Sequence, residues 1–334
     1  MRVTKDLLIN TAKETVRQAT YGSHDLICVY ITGSLLLEDP LIGGATDIDL
    51  VYVHGIDIPA EREIIPIVDE YHLDITHYHE YAFSQPRSLR TDAWIGSFLC
   101  NSPLLLFDTN HWFEFNQAVV TAHFFDPVNI IQRVKPFVEQ ARSGWISLQS
   151  GKDGFNPTSL YQYLKIIENA ANAVACLDSV PLTERRLLLD FPRHAANLGM
   201  PGLASGFIDL IVPEEPIEPD WDAWLSDWRT AFSAVQKSKD VPVKFSDGRI
   251  HYYEKAINGL MDEQQEAALW IMLRTWAQLS DCLSEGETNR IAFSDFCQTL
   301  MLGNEHFQKR ISALDAYLDT VEETVDNWSS RNGL

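Results

Sequence analysis

The strands that the sequence predicts all lie in the first third of this chain, and the remainder shows the apolar spacing of helices. Residues 26–32 form a short apolar run rich in β-branched side chains, which is typical of a buried strand. Residues 47–54 and 72–78 alternate as strands do, and residues 104–107 form another short apolar run. Because strands followed by a long series of helices indicate segregated layers, we expect an α/β unit with a helical region after it.

Helices are predicted between and around these strands. Residues 5–19, 61–71 and 91–100 have helical spacing of apolar side chains, and residues 61–71 would serve as a crossover helix between two strands. The first unit is therefore expected to be a small mixed sheet with flanking helices, covering residues 1–125.

The rest of the chain predicts two helical regions. Asp126-Pro127 and Asn156-Pro157 each place a capping residue before a proline, which is a favoured way to begin a helix. The acidic, proline-rich stretch at residues 212–219 predicts a boundary. We expect one helical region at residues 126–213 and a C-terminal helical region at 214–334, since 334 residues exceed the usual size of a single core.

The net charge of -21 argues against a long nucleic acid as the main partner. Affinity for nucleic acids comes largely from Lys and Arg side chains that neutralise phosphates. An acidic surface instead attracts metal ions and cationic small molecules, although many cytosolic enzymes are acidic simply because charge keeps them in solution.

The sequence predicts a cytoplasmic protein that does not bind membranes. No apolar run approaches the roughly 20 residues that cross a bilayer, and the N-terminus lacks the apolar centre of a signal peptide. The five cysteines are odd in number, widely spaced and without a CxxC pair, so we expect reduced packing residues rather than disulfides or a zinc knuckle.

Three aspartates are the candidate metal ligands. Asp47 and Asp49 are two apart on a predicted strand, so their side chains should project from the same face. Asp74 lies midway along the next predicted strand of this kind, from which it could reach the same ions. Carboxylate oxygens are the preferred ligands of Mg²⁺, and nucleotidyl transfer commonly uses two ions about 3.5–4 Å apart.

Gly33 and Ser34 are the candidate phosphate-binding residues. They end the first strand and are predicted to begin a helix, whose backbone N–H groups and positive end would receive phosphate oxygens. Glycine suits this position because the phosphate approaches the backbone.

Together these residues resemble the signature of the polymerase-β-like nucleotidyltransferases. The signature consists of an apolar strand, Gly-Ser, a spacer, and Asp-hydrophobic-Asp-hydrophobic on a second strand; here it is formed by residues 29–34 and 47–50. The order of an α/β half and a helical half also looks like that of antibiotic (aminoglycoside-type) adenylyltransferases. The resemblance implies attack by an acceptor hydroxyl on the α-phosphorus of ATP, with Mg²⁺ or Mn²⁺ as the metal and release of pyrophosphate.

The sequence departs from this family immediately after Gly-Ser. Many members carry Arg or Lys there, whereas residues 35–38 are Leu-Leu-Leu-Glu. We expect Lys165, on a predicted helix of the second region, to bind the triphosphate instead, with Arg87 and Arg90 as alternatives. The general base is predicted to be Asp74 or Glu168.

Three functions remain open at this point. The first is transfer of AMP to a small hydroxyl-bearing acceptor, with a cationic molecule such as an aminoglycoside as one option. The second is modification of a protein or of an RNA end by the same chemistry. The third is a catalytically silent nucleotide-binding or regulatory module of the same fold, which the missing basic residue favours.

Overall fold

The structure of the protein is a computed structural model that describes residues 3–151, 154–213, 215, 217–283 and 288–334. The chain divides into two compact units. The first consists of Met1–Asn129 and Pro242–Gly259, and the second of Ile130–Val241 and Leu260–Leu334. Residues 242–259, which fall within the predicted C-terminal helical region, thus join the first unit. Residues 214 and 216 of the predicted boundary stretch lie outside the described residues.

Strands occur only in the first unit of the described chain, where five of them form one sheet. They are β1 (Leu26–Thr32), β2 (Thr46–His54), β3 (Arg62–Val68), β4 (Tyr71–His79) and β5 (Leu104–Asp108). The strand order is β3-β4-β2-β1-β5. β2 and β4 are parallel while the other neighbours are antiparallel, so the sheet is mixed as predicted.

Twelve α-helices lie in the described residues. They are α1 (Lys5–Thr20), α2 (Ile95–Cys100), α3 (Trp112–Thr121), α4 (Pro127–Ser150), α5 (Pro157–Asp178), α6 (Leu187–Asn197), α7 (Gly202–Ile211), α8 (Trp221–Gln236), α9 (Arg249–Leu260), α10 (Gln265–Cys282), α11 (Thr288–Thr299) and α12 (Asn304–Arg331). The predicted fold class, an α/β unit followed by a long run of helices, is confirmed.

The predicted crossover helix at residues 61–71 is wrong, because most of this segment is strand β3. Its centre, Ile64-Ile-Pro66-Ile-Val68, is rich in β-branched residues, which favour strands, and Pro66 is tolerated because β3 lies at the edge of the sheet. The parallel strands β2 and β4 are connected through this antiparallel edge strand, which pairs with the outer side of β4.

One face of the sheet packs against α1 and forms the core of the first unit. Leu8, Ala12 and Val16 of α1 are buried there. Ile48 and Leu50 of β2 belong to the same buried cluster. A fully buried aliphatic side chain of this kind contributes about 1.5–3 kcal/mol to folding. The burial of Ile48 and Leu50 therefore fixes the direction of their neighbours, Asp47 and Asp49, toward the opposite face.

The second unit is built around two helices that are buried almost all round, α5 and α10. α5 begins as the sequence predicts: the Asn156 side chain accepts a hydrogen bond from the Ser159 backbone N–H, and Pro157 occupies the first turn. α6, α10 and α12 pack against α5. In the described chain, no helix combines the length and apolarity that a membrane crossing requires.

Candidate functional site

Asp47, Asp49 and Asp74 lie on the same face of the sheet. In the parallel pairing of β2 with β4, Asp49 is directly beside Asp74, and Asp47 is two residues earlier on β2. Thr32, the last residue of β1, is the partner of Asp49 on the other side. Adjacent strands are about 4.8 Å apart, so three carboxylates are gathered within one short section of the sheet.

Asp47 is bound by an arginine from a distant part of the chain. Nη1 of Arg249, the first residue of α9, donates to Oδ1 of Asp47 at 2.6 Å, and both side chains are buried. The Arg249 guanidinium also lies over the ring of Tyr252, 3.8 Å from its centre. Burial opposes the charged form of Arg249, but the charge and hydrogen bond of Asp47, together with the neighbouring Tyr253 and Tyr252, outweigh it, and the pKa of Arg249 is raised.

Asp74 is bound by Arg62 of the edge strand β3. The guanidinium donates from Nε to Oδ1 at 2.7 Å and from Nη2 to Oδ2 at 2.5 Å, which is the two-pronged geometry that suits arginine and carboxylate. These hydrogen bonds raise the pKa of Arg62. The Arg62 side chain is 48% exposed, whereas that of Asp74 is buried.

Asp49 lies between these two ion pairs, and its side chain makes no hydrogen bond or ion pair of its own with any residue that the structure describes. Burial, together with the neighbouring charges of Asp74 and Asp47, raises its pKa above the usual range of an aspartate. Two guanidinium groups face three carboxylates, so a negative charge on Asp49 has no counter-ion of its own and the neutral form of Asp49 is favoured.

Gly33 closes over the carboxylate of Asp49. Its φ is +74°, a conformation that side chains disfavour, and a Cβ at this position would lie 2.1 Å from Oδ2 of Asp49. Only glycine allows the backbone to approach Asp49 this closely.

The short helix predicted after Gly33 is present as a single 3-10 turn, Ser34–Leu36, and not as an α-helix. So short a turn does not have the aligned dipoles of an α-helix end. Ser34 Oγ is 3.2 Å from Thr46 Oγ1, which ties the turn to the start of β2. Lys5 Nζ donates to the carbonyl of Leu37 at 2.8 Å, so a lysine from α1 holds the end of the turn.

The start of α9 packs against the edge of the sheet, and its last turn packs against the loop before β2. Gly248, with φ +82°, lies so close to His72 that a Cβ would be 2.9 Å from His72 Nε2. Lys255 forms an ion pair with Glu70 at 2.8 Å. A Cβ on Gly259 would lie 2.4 Å from Cα of Gly43, so here two backbones are in direct contact.

The donor chemistry of the three aspartates fits a hard divalent cation, because all of their ligand atoms are carboxylate oxygens. Their present arrangement is not a ready metal site: within the described residues, no group of three or more His, Cys, Asp or Glu side chains is arranged to hold a metal ion. Arg62 and Arg249 occupy two of the three carboxylates. A metal ion at these aspartates requires the guanidinium groups to move.

The other predicted site residues lie elsewhere in the two units. Arg90 donates two hydrogen bonds to the carbonyl of Val119, which gives it a structural contact in the first unit, and Arg87 is exposed. Lys165 and Glu168 are on α5 of the second unit. The roles assigned to these four residues stay predictions.

Glu168 and Lys165 have partners within the second unit. Glu168 is buried and bonded to Arg274 of α10, whose guanidinium lies 4.4 Å from the ring centre of Tyr161. Lys165 is half-exposed, and its Nζ lies 3.4 Å from Oε2 of Glu168. The carboxylate that was predicted as a candidate base is thus paired with two cations.

Sequence reasoning missed Arg62 and Arg249. The helical interpretation of residues 61–71 concealed Arg62. In a strand, Arg62 shares a face with Ile64, which lies two residues later and pairs with Asp74. Arg249 is 202 positions from Asp47. No local pattern links those two residues, so only the tertiary structure could identify the pair.

No protein-family model matches the sequence, and no curated protein matches it significantly. Among solved structures, the chain is similar to a nucleotidyltransferase-like protein from Exiguobacterium sibiricum, at 9% sequence identity and a TM-score of 0.32, with 94% of this chain and 91% of that chain covered. The site consists of three aspartates on adjacent strands, a glycine turn that closes over the central aspartate, and two arginines that neutralise the outer two.

Proposed function

We propose that this protein is a metal-dependent nucleotidyltransferase that transfers a nucleoside monophosphate, preferably AMP from ATP, to a hydroxyl group of a small acceptor. The observation that supports it most is the meeting of Asp47, Asp49 and Asp74 on adjacent strands, with Gly33 closed over Asp49. A cluster of three acidic side chains with only two guanidinium partners is costly to fold, and a site for divalent cations gives it a use.

In the proposed reaction, the oxygen of the acceptor hydroxyl forms a bond to the α-phosphorus of ATP. The bond between that phosphorus and the bridging oxygen of the leaving pyrophosphate breaks, and the hydroxyl proton passes to a carboxylate, for which Asp74 is the candidate within the first unit. Bound Mg²⁺ or Mn²⁺ would stabilise the charge on the attacking and leaving oxygens. Gly33 and Ser34 would border the phosphates.

The proposed acceptor is a small molecule rather than a long nucleic acid. The chain carries 47 Asp and Glu residues against 26 Lys and Arg, which disfavours a polyanion and favours a cationic acceptor. The acceptor's identity is a matter for a screen over chemical classes.

A second candidate function is a catalytically silent binding or regulatory module of the same fold. It is supported by the two ion pairs, Arg249 with Asp47 and Arg62 with Asp74, in which guanidinium groups neutralise the outer carboxylates. In such a module the arginines would be permanent structural replacements for the metal.

The two functions differ in what Asp49 does. We expect calorimetric titration to detect binding of ATP with Mg²⁺, and a pyrophosphate-release screen over acceptor classes to find turnover. Asp49→Asn should lower that turnover by about 10³-fold or more, because electrostatic stabilisation at such a site contributes several kcal/mol. The exposed Asp57→Asn removes the same charge from the first unit and should leave turnover unchanged.

Absence of ATP binding and of pyrophosphate release with every acceptor class would favour the silent module. Undiminished turnover in Asp49→Asn would show that the aspartate cluster is not the reaction site.

A further inference from the structure

Two arginines contact the aspartate cluster, although the segment after Gly-Ser has no basic residue. A nucleoside triphosphate carries close to four negative charges, and phosphoryl-transfer sites usually supply fixed cations in addition to metal ions. Residues 35–38 after Gly-Ser provide none. Arg62 and Arg249 are the guanidinium groups that contact the aspartate cluster in the described part of the first unit.

We infer that Arg249 and Arg62 are the residues that bind the triphosphate, and that each exchanges its aspartate for phosphate oxygens when metal and nucleotide enter. This inference rests on the proposed function. In the metal-free protein the two arginines act as counter-ions of Asp47 and Asp74, and in the loaded protein the metal ions take over that role.

The contacts of Arg249 suit such an exchange. One nitrogen, Nη1, holds Asp47, while Nε is buried without a hydrogen-bond partner among the described residues. A guanidinium has five N–H groups in a rigid plane, so several remain for phosphate oxygens. The ring of Tyr252 supports this plane from one side at 3.8 Å. Releasing Asp47 therefore does not leave the guanidinium without support.

Arg62 suits the exchange for a different reason. It lies on the edge strand β3 and its side chain is 48% exposed, so it can turn away from Asp74 without opening a cavity. Arg62 lies on β3, which is a strand of the sheet, and Arg249 lies on α9, which is tied to the sheet by the ion pair of Lys255 with Glu70. The two guanidinium groups can therefore shift while the backbones of β3 and α9 stay in place.

Electrostatics couples the metal and the arginines in two opposite ways. A divalent cation on Asp47 or Asp74 repels the guanidinium that was there, so without nucleotide the metal and the arginines compete. A bound triphosphate attracts both, so with nucleotide they cooperate. Removing an arginine should therefore strengthen binding of the metal alone and weaken binding of the nucleotide.

The test measures these two affinities separately and needs no acceptor. Free Mn²⁺ is followed by electron paramagnetic resonance in a titration of the protein without nucleotide, and ATP binding is measured by calorimetry at saturating Mg²⁺. For Arg249→Gln and for Arg62→Gln we expect Mn²⁺ to bind about threefold tighter or more and ATP to bind about tenfold weaker or more, as for loss of a charge-assisted hydrogen bond.

Two further variants make the pattern specific. Arg249→Lys keeps the charge but loses the planar guanidinium, so its ATP affinity should lie between those of the parent and of Arg249→Gln. Arg17→Gln removes a charge from an exposed residue of α1 in the same unit, and both of its affinities should equal those of the parent. If Arg249→Gln does not fold, because Arg249 is buried, the half-exposed Arg62→Gln decides the question.

A fall of both affinities in Arg249→Gln and Arg62→Gln would mean that the arginines only maintain the site, and would overturn the inference. Unchanged affinities would overturn it as well, while the proposed function would stand because the parent still binds Mn²⁺ and ATP. A parent that binds neither Mn²⁺ nor ATP contradicts the proposed function and this inference together.

Discussion

At the scale of single residues, the site depends on how closely a backbone can approach a carboxylate. Gly33 has φ +74° and lies over Asp49, and both features require glycine. The aspartates and this glycine are predictable from sequence because they follow from short-range rules: a strand that ends in glycine, and alternation that turns Asp47 and Asp49 to one face. The arginines that neutralise Asp47 and Asp74 are not, because the pairs are formed by tertiary packing.

Gly33→Ala is expected to lower stability by about 2–4 kcal/mol and to abolish turnover. About 1 kcal/mol comes from the positive φ, and the remainder from moving the carboxylate of Asp49 out of the space that the new Cβ takes. Thermal or urea unfolding measures the first effect and the pyrophosphate assay the second.

Gly22→Ala is the matched control, because Gly22 has φ +75° but nothing within 4 Å of its virtual Cβ. It should show the backbone cost alone and keep full turnover. Equal losses of stability in the two variants would mean that contact with Asp49 contributes nothing.

At the scale of elements, sequence patterns located most helices and strands but misjudged the connection between β2 and β4. α8, Trp221–Gln236, lies in the predicted C-terminal helical region. Residues 61–71 were misjudged because a parallel pair of strands usually needs a helical crossover, a rule that outweighed the β-branched composition. Within the predicted C-terminal helical region, α9 and α10 follow one another closely, yet Arg249–Gly259 of α9 belongs to the first unit and α10 to the second. Periodicity reports burial of a face but not the unit against which that face packs.

Gly259→Ala is expected to destabilise the protein by about 2 kcal/mol or more. Within an α-helix, replacing glycine by alanine normally stabilises by about 1 kcal/mol. Here the added methyl would lie 2.4 Å from Cα of Gly43, so α9 must shift away from the loop before β2. Urea unfolding of the parent and the variant measures the sign of the change.

Gly202→Ala, at the start of α7, has nothing within 4 Å of its virtual Cβ and should cause no loss of stability. Stabilisation by Gly259→Ala would show that the contact between α9 and Gly43 is not tight.

At the scale of the whole molecule, the dominant property is the net charge of -21. The field of such a charge distribution extends over roughly one Debye length, about 8 Å at physiological salt, and raises the local concentration of cations near the surface. Composition alone predicts this property, although it does not indicate where on the surface the charge acts.

The salt dependence of turnover tests whether the acceptor is cationic. Between about 20 mM and 300 mM salt, the KM for a cationic acceptor should rise several-fold, because screening weakens its attraction to the protein. An acceptor analogue without charge provides the control and should show little change. If the KM of the acceptor found by the screen is flat over this range, the acceptor is not held by charge.

The first unit is discontinuous in sequence, since Pro242–Gly259 completes a structure that begins with Met1–Asn129. This has a consequence for biosynthesis. When residue 129 has left the ribosome, Asp47 still lacks Arg249 and Glu70 still lacks Lys255, so the nascent sheet must wait for more than a hundred further residues before these charges are neutralised. A divalent cation that binds to Asp47 during that interval would replace the positive charge of Arg249 until α9 has been synthesised.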